Sequence, residues 1–105
     1  MQLALVNAFE IRHGKREEFG NAISEMAELF AAHDLPEPRV WQGFIAGPET
    51  RKVFVVIEFD GMQALTDFYA KVEGIKEYGQ WARREHGADG SMKLLGRYIL
   101  DEHFK

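Results

Sequence analysis

The feature that most constrains this chain is a strand-length segment, residues 53–59, that is apolar on both of its sides. Successive residues of a strand point to opposite faces of the sheet, and an antiparallel sheet can leave one face polar to meet water. Apolar side chains on both faces therefore require a cover on each side of the sheet. Alternation assigns Val53, Val55, Ile57 and Phe59 to one face and Phe54, Val56 and the charged Glu58 to the other.

Hydrophobic periodicity predicts the elements around this segment. Alternation favours strands, and apolar spacings of three and four residues favour amphipathic helices. Pro36 and Pro38 end the first helix, because proline cannot continue one. Gly74 is expected to bend or interrupt the second helical stretch. The predicted strands cover residues 3–11, 39–46, 52–59 and 92–100, and the predicted helices cover residues 15–33 and 61 to about 85.

The resulting order, β-α-β-β-α-β, predicts an α+β fold of the ferredoxin-like class. A turn over residues 47–50 favours an antiparallel hairpin between the two middle strands. We expect a four-stranded antiparallel sheet with both helices on one face. The 105 residues suffice for one domain, so residues 1–105 are predicted to form a single unit.

The second sheet face then needs a cover that the chain does not supply. A soluble monomer seldom exposes a contiguous apolar patch as large as a sheet face, and identical chains most readily form closed symmetric dimers. We therefore predict a homodimer packed sheet against sheet. The apolar residues predicted on this second face are Val40, Phe44, Phe54, Val56, Leu95 and Ile99.

Composition excludes several other classes of protein. The net charge of −4 argues against nucleic-acid binding, which needs a basic face. The absence of cysteine excludes a disulfide scaffold, a thiolate metal site and a cysteine nucleophile. The N-terminal residues lack the pattern of a signal peptide, and no apolar run has the length of a membrane span, so a cytoplasmic protein without membrane contacts is expected.

Two stretches carry a resemblance to a known superfamily. Residues 39–48 read Arg-Val-Trp-Gln-Gly-Phe-Ile-Ala-Gly-Pro, and residues 53–65 read Val-Phe-Val-Val-Ile-Glu-Phe-Asp-Gly-Met-Gln-Ala-Leu. Over nearly its whole length the chain resembles the dimeric α+β barrel proteins, which include NIPSNAP-like proteins, antibiotic-biosynthesis-type monooxygenases, haem-degrading monooxygenases and muconolactone isomerases. The resemblance implies the fold and the dimer. It leaves the reaction open, because one fold hosts unrelated chemistries.

Asn7 and His86 are the candidate catalytic residues. Asn7 is the amide on an otherwise apolar strand face, and a buried amide needs partners. The resemblance to haem-degrading and quinol-oxidising members implies a cavity role for it, whereas a satisfied core amide is the alternative. His86 ends a helical stretch, where the helix dipole alone favours histidine. The resemblance implies a tryptophan or histidine on the third strand or second helix of haem-degrading members. This chain departs from that pattern, with Phe59 at the end of the strand and Glu77-Tyr78-Gly79 in the helix.

An aromatic set could line a pocket for a planar ligand between helices and sheet, or could simply pack the core. We expect ligand contacts from Trp41, Phe68, Tyr78, Trp81 and the cation of Arg83, with Arg84, Arg97 and Tyr98 as further possibilities. Residue spacing predicts no metal site and no nucleotide-binding glycine motif, so no cofactor is predicted. The function favoured is binding of a small apolar or aromatic molecule, with cofactor-independent oxygenation or isomerisation as the reaction. The alternatives are a non-catalytic ligand-binding or stress-related dimer and a haem-binding protein.

Overall fold

The computed structural model describes residues 2–42 and 51–102, and these carry the predicted order of elements. The one long helical stretch is broken at Gly74, whose N–H donates to the carbonyl of Lys71 at 3.0 Å, and Ile75 then adopts an extended conformation. Three helices therefore stand in place of two. The elements are β1 (Leu3–Ile11), α1 (Arg16–Ala32), β2 (Arg39–Gln42), β3 (Lys52–Phe59), α2 (Met62–Glu73), α3 (Lys76–His86) and β4 (Met92–Asp101).

The four strands form one antiparallel sheet in the order β2-β3-β1-β4. This confirms the α+β, ferredoxin-like fold and the antiparallel pairing of the two middle strands. The predicted turn at 47–50 and the predicted strand residues 43–46, including Phe44, lie outside the described residues. Within the residues described, no helix has the length and hydropathy of a membrane span.

One face of the sheet is covered by the helices, and the core lies between them. The strand side chains on this face alternate as predicted, and the apolar stripe of α1 meets them. Full burial of each large apolar side chain stabilises the fold by about 1.5–3 kcal/mol. The buried residues from these elements are Leu3, Leu5, Phe9 and Ile11 of β1, Val53, Val55, Ile57 and Phe59 of β3, and Phe19, Ala22, Met26 and Phe30 of α1.

A β-bulge in β4 changes which of its side chains face the helices. Phe9 pairs with Leu94, but the preceding residue Ala8 pairs with Gly96, so Leu95 is an extra residue in the strand. An extra residue reverses the alternation beyond it. Arg97 and Ile99 consequently pair with Asn7 and Leu5 on the helix-covered side. The prediction that Ile99 belongs to the second sheet face is wrong for this reason.

One residue of β2, Val40, also lies on a different face from the one predicted. Val40 pairs with Val55 and Trp41 with Phe54, so Trp41, and not Val40, lies on the second face. Val40 and Trp41 are both apolar, so either of them could face the core. The pairing with β3 decides which one does, and the sequence of β2 alone does not determine that pairing.

The second sheet face is left open by the described elements. Trp41, Tyr98 and Leu100 are each more than half exposed there, at 56%, 53% and 55%. Phe54 and Val56 between them are partly exposed. A cation–π contact places Arg39 over the Trp41 ring at 5.3 Å, and Arg39 also pairs with Glu58 at 3.3 Å. This surface is called the open face below.

Candidate functional site

A cavity of about 210 Å³ lies between the sheet and the helices. Apolar side chains of β1, β3 and all three helices form most of its surface, so a bound molecule would be largely removed from water. The polar contribution comes from a few side chains on both sides of the cavity. Its lining residues with ionisable or amide groups are Asn7, Tyr69, Tyr78, His86 and Arg97.

Trp81 forms a rigid wall of this cavity. It is 2% exposed, and its indole N–H donates to the carbonyl of Ala22 in α1 at 2.9 Å. Tyr78 stacks on it with ring centroids 5.5 Å apart and an angle of 28° between the planes. Arg84 adds a second tie between α3 and α1 by pairing with Glu25 at 2.8 Å. These contacts fix the helix that carries His86.

His86 is held between two aromatic rings at one side of the cavity. Its ring centroid lies 5.1 Å from that of Phe9 and 5.4 Å from that of Trp81. Its Nε2 atom is buried and has no hydrogen-bond partner in the described structure. Burial and the nearby charge of Arg97 lower the pKa of His86, against the opposing effect of Glu85. The imidazole is therefore neutral near pH 7 and can accept a proton.

The neighbouring loop anchors the end of α3. Ser91 is fully buried, and its hydroxyl donates to Oε1 of Glu85 at 2.6 Å. Burial alone would raise the pKa of Glu85, but hydrogen bonds from Ser91 and Arg84 outweigh it and hold the pKa below its usual value. Glu85 is thus an anchored carboxylate whose partners lie in the loop and on α3. It fixes the position of the adjacent His86.

Asn7 and Arg97 meet across the paired strands β1 and β4. The Nε of Arg97 donates to Oδ1 of Asn7 at 2.6 Å, so the Nδ2 group of Asn7 remains as a donor. Arg97 is exposed and also lines the cavity, which puts its guanidinium where the cavity meets solvent. Asn7 therefore lines the cavity and accepts a hydrogen bond from a neighbouring strand through its Oδ1 atom.

Tyr78 supplies a phenol that stays protonated. Burial raises its pKa, with the charge of Arg97 opposing and Tyr69 adding to the increase. The cavity therefore combines a neutral imidazole with a guanidinium, an amide and phenol groups. Such a set can take a proton from a ligand and stabilise the negative charge left on its oxygen.

The structure brings together five of the seven residues singled out in the sequence. Asn7, Phe68, Tyr78, Trp81 and His86 all line the cavity. Trp41 lies on the open face, and Arg83 is exposed on α3 outside the lining, so neither contributes to this site.

Two of the polar lining residues, Tyr69 and Arg97, were not among the seven singled out in the sequence. Arg97 was one of several possible anion ligands, and the bulge at Leu95 decides its direction. Tyr69 follows Phe68 in α2, and no feature of the sequence marked it as a site residue apart from its neighbour. No three His, Asp or Glu side chains within residues 2–42 and 51–102 come together as a metal site requires.

Solved structures with the same architecture were found by comparison. A NIPSNAP-like domain protein from Burkholderia xenovorans is 12% identical with a TM-score of 0.72, and the match covers 97% of this chain and 85% of that one. SnoaB, a cofactor-independent oxygenase from Streptomyces nogalater, is 14% identical with a TM-score of 0.67 over 99% and 95% of the two chains. The chain shares the ferredoxin-like α+β fold of these structures. No protein-family model and no curated protein sequence matches it.

An ethyl tert-butyl ether d (ethd) family protein from Bacillus halodurans shares this fold as well. It is 18% identical with a TM-score of 0.62, and the match covers 98% of this chain and all of that one. At identities of 12–18%, these matches show a shared fold alone. One fold hosts unrelated chemistries, so the shared fold does not identify a reaction for this chain.

Proposed function

We propose that the chain binds a small planar aromatic molecule with an acidic hydroxyl in the cavity and removes its proton. The observation that carries this proposal is the buried Nε2 of neutral His86, which lacks a partner in a cavity that also holds the guanidinium of Arg97. A buried polar nitrogen without a hydrogen-bond partner is unfavourable, and a ligand or a water molecule in the cavity can supply that partner. A ligand hydroxyl would satisfy it.

The size of the cavity limits the ligand. Apolar protein cavities of about 150 Å³ hold benzene, so about 210 Å³ accommodates one ring with substituents. The lining favours a flat molecule, since Trp81 and Tyr78 present a stacked pair of rings. A phenol, a quinol or a cyclic enol meets both conditions.

The chemistry begins with proton transfer. The ligand O–H bond breaks, the proton moves to Nε2 of His86, and the electron pair stays on the ligand oxygen. Arg97 and the amide of Asn7 then stabilise that anion. An electron-rich anion of this kind can react with dioxygen, or can take its proton back at a carbon, which corresponds to oxygenation or isomerisation. The shared fold with the cofactor-independent oxygenase SnoaB supports the first of these.

A chromogenic phenol tests the proposal. The anion of para-nitrophenol absorbs visible light and the neutral form does not, so binding and deprotonation can be followed separately. We expect the wild type to bind the anion near pH 6.5 and His86→Gln to bind the neutral form. Arg97→Gln should bind the anion roughly tenfold or more weakly than the wild type does. Arg83→Gln is the matched control, because Arg83 is an exposed arginine outside the cavity.

Other outcomes would favour the alternatives. Equal effects of Arg97→Gln and Arg83→Gln, or the same bound form in His86→Gln as in the wild type, would contradict the assigned roles. Binding without deprotonation, and without oxygen consumption by any phenol, would favour a non-catalytic binding protein. A Soret shift on addition of hemin would favour the haem alternative.

We also propose that a second copy of the chain covers the open face. Three aromatic or aliphatic side chains there, Trp41, Tyr98 and Leu100, are more than half exposed. Burial of such a patch favours self-association, because two identical faces present the same surface to each other. Native mass spectrometry at micromolar concentration should detect a dimer. Tyr98→Lys should dissociate it, whereas Ile99→Lys, the adjacent residue on the other face at 50% exposure, should not.

A further inference from the structure

A second and larger space adjoins the cavity from outside. A groove of about 690 Å³ runs along the surface between α2 and the segment after α1. Its floor includes Phe59 and Leu35, and its rim carries the charges of Asp34, Asp67 and Lys71. Among the described residues that line the groove or the buried cavity, Phe68 is the one common to both.

The position of Phe68 on α2 explains this. The residues Leu65 and Val72, one turn before and after it, turn toward the core. Asp67 and Lys71, offset from them on the helix, turn toward the groove. Phe68 stands at the boundary between these two sides of the helix. Its ring is therefore a partition between the groove and the cavity.

Neighbouring rings hold the partition in place. Phe68 is 6% exposed and makes edge-to-face contacts with Phe30 at 5.8 Å and Phe59 at 5.2 Å between ring centroids. Tyr69 adds a third such contact at 5.9 Å. Contacts of this geometry on several sides favour a single orientation of the ring.

We infer that Phe68 sets the maximum length of the ligand by closing the cavity toward the groove. The inference rests on the proposed function, since it concerns ligands of the same cavity. With Phe68 in place, a single substituted ring fills the available space. A smaller residue would join the two spaces, and a second ring could then lie on the apolar floor formed by Leu35 and Phe59.

A matched set of truncations tests the role of Phe68 as a partition. Phe68→Ala removes the shared wall, Phe9→Ala enlarges the cavity alone, and Phe59→Ala enlarges the groove alone. The three phenylalanines are comparably buried, at 6%, 4% and 4% exposure. Each variant thus loses the same group from a similar environment.

Two phenols of different length serve as probes in binding titrations. The short probe is para-nitrophenol, and the long probe is para-(para-nitrophenylazo)phenol, which has a second ring in line with the first. We expect Phe68→Ala to bind the long probe roughly tenfold or more tightly than the wild type does, with little gain for the short one. Phe9→Ala and Phe59→Ala should not show this gain. An equal gain in all three variants would overturn the inference.

A measurement without ligand separates this inference from the proposed function. The chain has two tryptophans, so in a Trp41→Phe background the emission comes from Trp81 of the cavity wall. Acrylamide should quench Trp81 several-fold more in Phe68→Ala than in Phe9→Ala or Phe59→Ala. If neither phenol binds any variant but the quenching follows this order, the proposed function fails and the partition stands.

Equal quenching in the three variants would refute the partition, whatever binds. Circular dichroism and thermal unfolding check that each variant is folded. If Phe68→Ala does not fold, Phe68→Leu takes its place, and it should move quenching and long-probe affinity in the same direction by a smaller factor. No change in either quantity for a folded Phe68→Leu would then count against the inference.

Discussion

His86 should make the protein less stable in mild acid, and replacing it should remove that loss. Burial and the charge of Arg97 lower the pKa of His86 in the folded state, whereas an unfolded chain has a histidine pKa of about 6.5. As the pH falls below that value, the unfolded state takes up a proton that the folded state does not. The free energy of unfolding therefore decreases as the pH decreases, until the pH reaches the lowered pKa of His86 in the folded state.

The magnitude follows from proton linkage. One proton of difference between the two states changes the free energy of unfolding by at most about 1.4 kcal/mol per pH unit. In His86→Leu this contribution is absent, although the loss of packing beside Phe9 and Trp81 lowers stability at every pH. The wild type should thus lose stability relative to His86→Leu as the pH falls below about 6.5. Each kcal/mol corresponds to roughly 4–8 °C in Tm for a domain of this size.

Urea denaturation at several pH values between about 7.5 and 5 measures this difference. Phe9→Leu is the control, because it disturbs the ring in contact with His86 at 5.1 Å without removing a titrating group. Its difference from the wild type should stay constant over the same range. A wild type that keeps a constant difference from His86→Leu, or gains on it in acid, would refute the assignment of a buried neutral imidazole.

Three further results are expected. Arg97→Gln should raise the pKa of His86 in an NMR titration but leave it below its ordinary value, because burial is the larger cause; an unchanged or lower pKa would contradict this. Trp81→Phe should lower the free energy of unfolding, measured by urea denaturation, by about 1–3 kcal/mol. The variant loses part of a buried ring and the hydrogen bond to the carbonyl of Ala22, while that carbonyl keeps its helical backbone partner. An unchanged free energy of unfolding would count against the anchoring role. Gly90→Ala should cost about 1–3 kcal/mol or more in thermal unfolding, because the added Cβ would overlap the carbonyl oxygen of Glu85; a neutral result would show that the loop yields easily.

The periodic elements of this fold are predictable because the apolar pattern of each one indicates which of its faces is buried. Alternation along β1 places Asn7 on the same face as Leu5 and Phe9, and the structure finds it on that face, half-buried in the cavity lining. The spacing of Phe19, Met26 and Phe30 similarly indicates the face of α1 that packs on the sheet. In these segments the local pattern and the tertiary environment agree.

Other parts depend on contacts between segments that no local pattern records. His86 at a helix end is compatible with a surface position, and it becomes half-buried because Phe9 and Trp81 pack on its ring. Trp41 is apolar and could face either side of the sheet. Its pairing with Phe54 is a matter of hairpin register, which the composition of β2 leaves undetermined.

The bulge at Leu95 affects how this chain is to be aligned with others of the same fold. Without Leu95, the remaining residues of β4 alternate regularly, and the pairings of Leu94 with Phe9 and of Arg97 with Asn7 are unchanged. A relative with a regular fourth strand should therefore align with a one-residue gap here, and its sheet should be less sharply twisted at this point. At identities of 12–18%, an alignment that omits the gap would match Arg97 with a residue of the wrong face. The gap would then decide which proteins are judged to share this cavity.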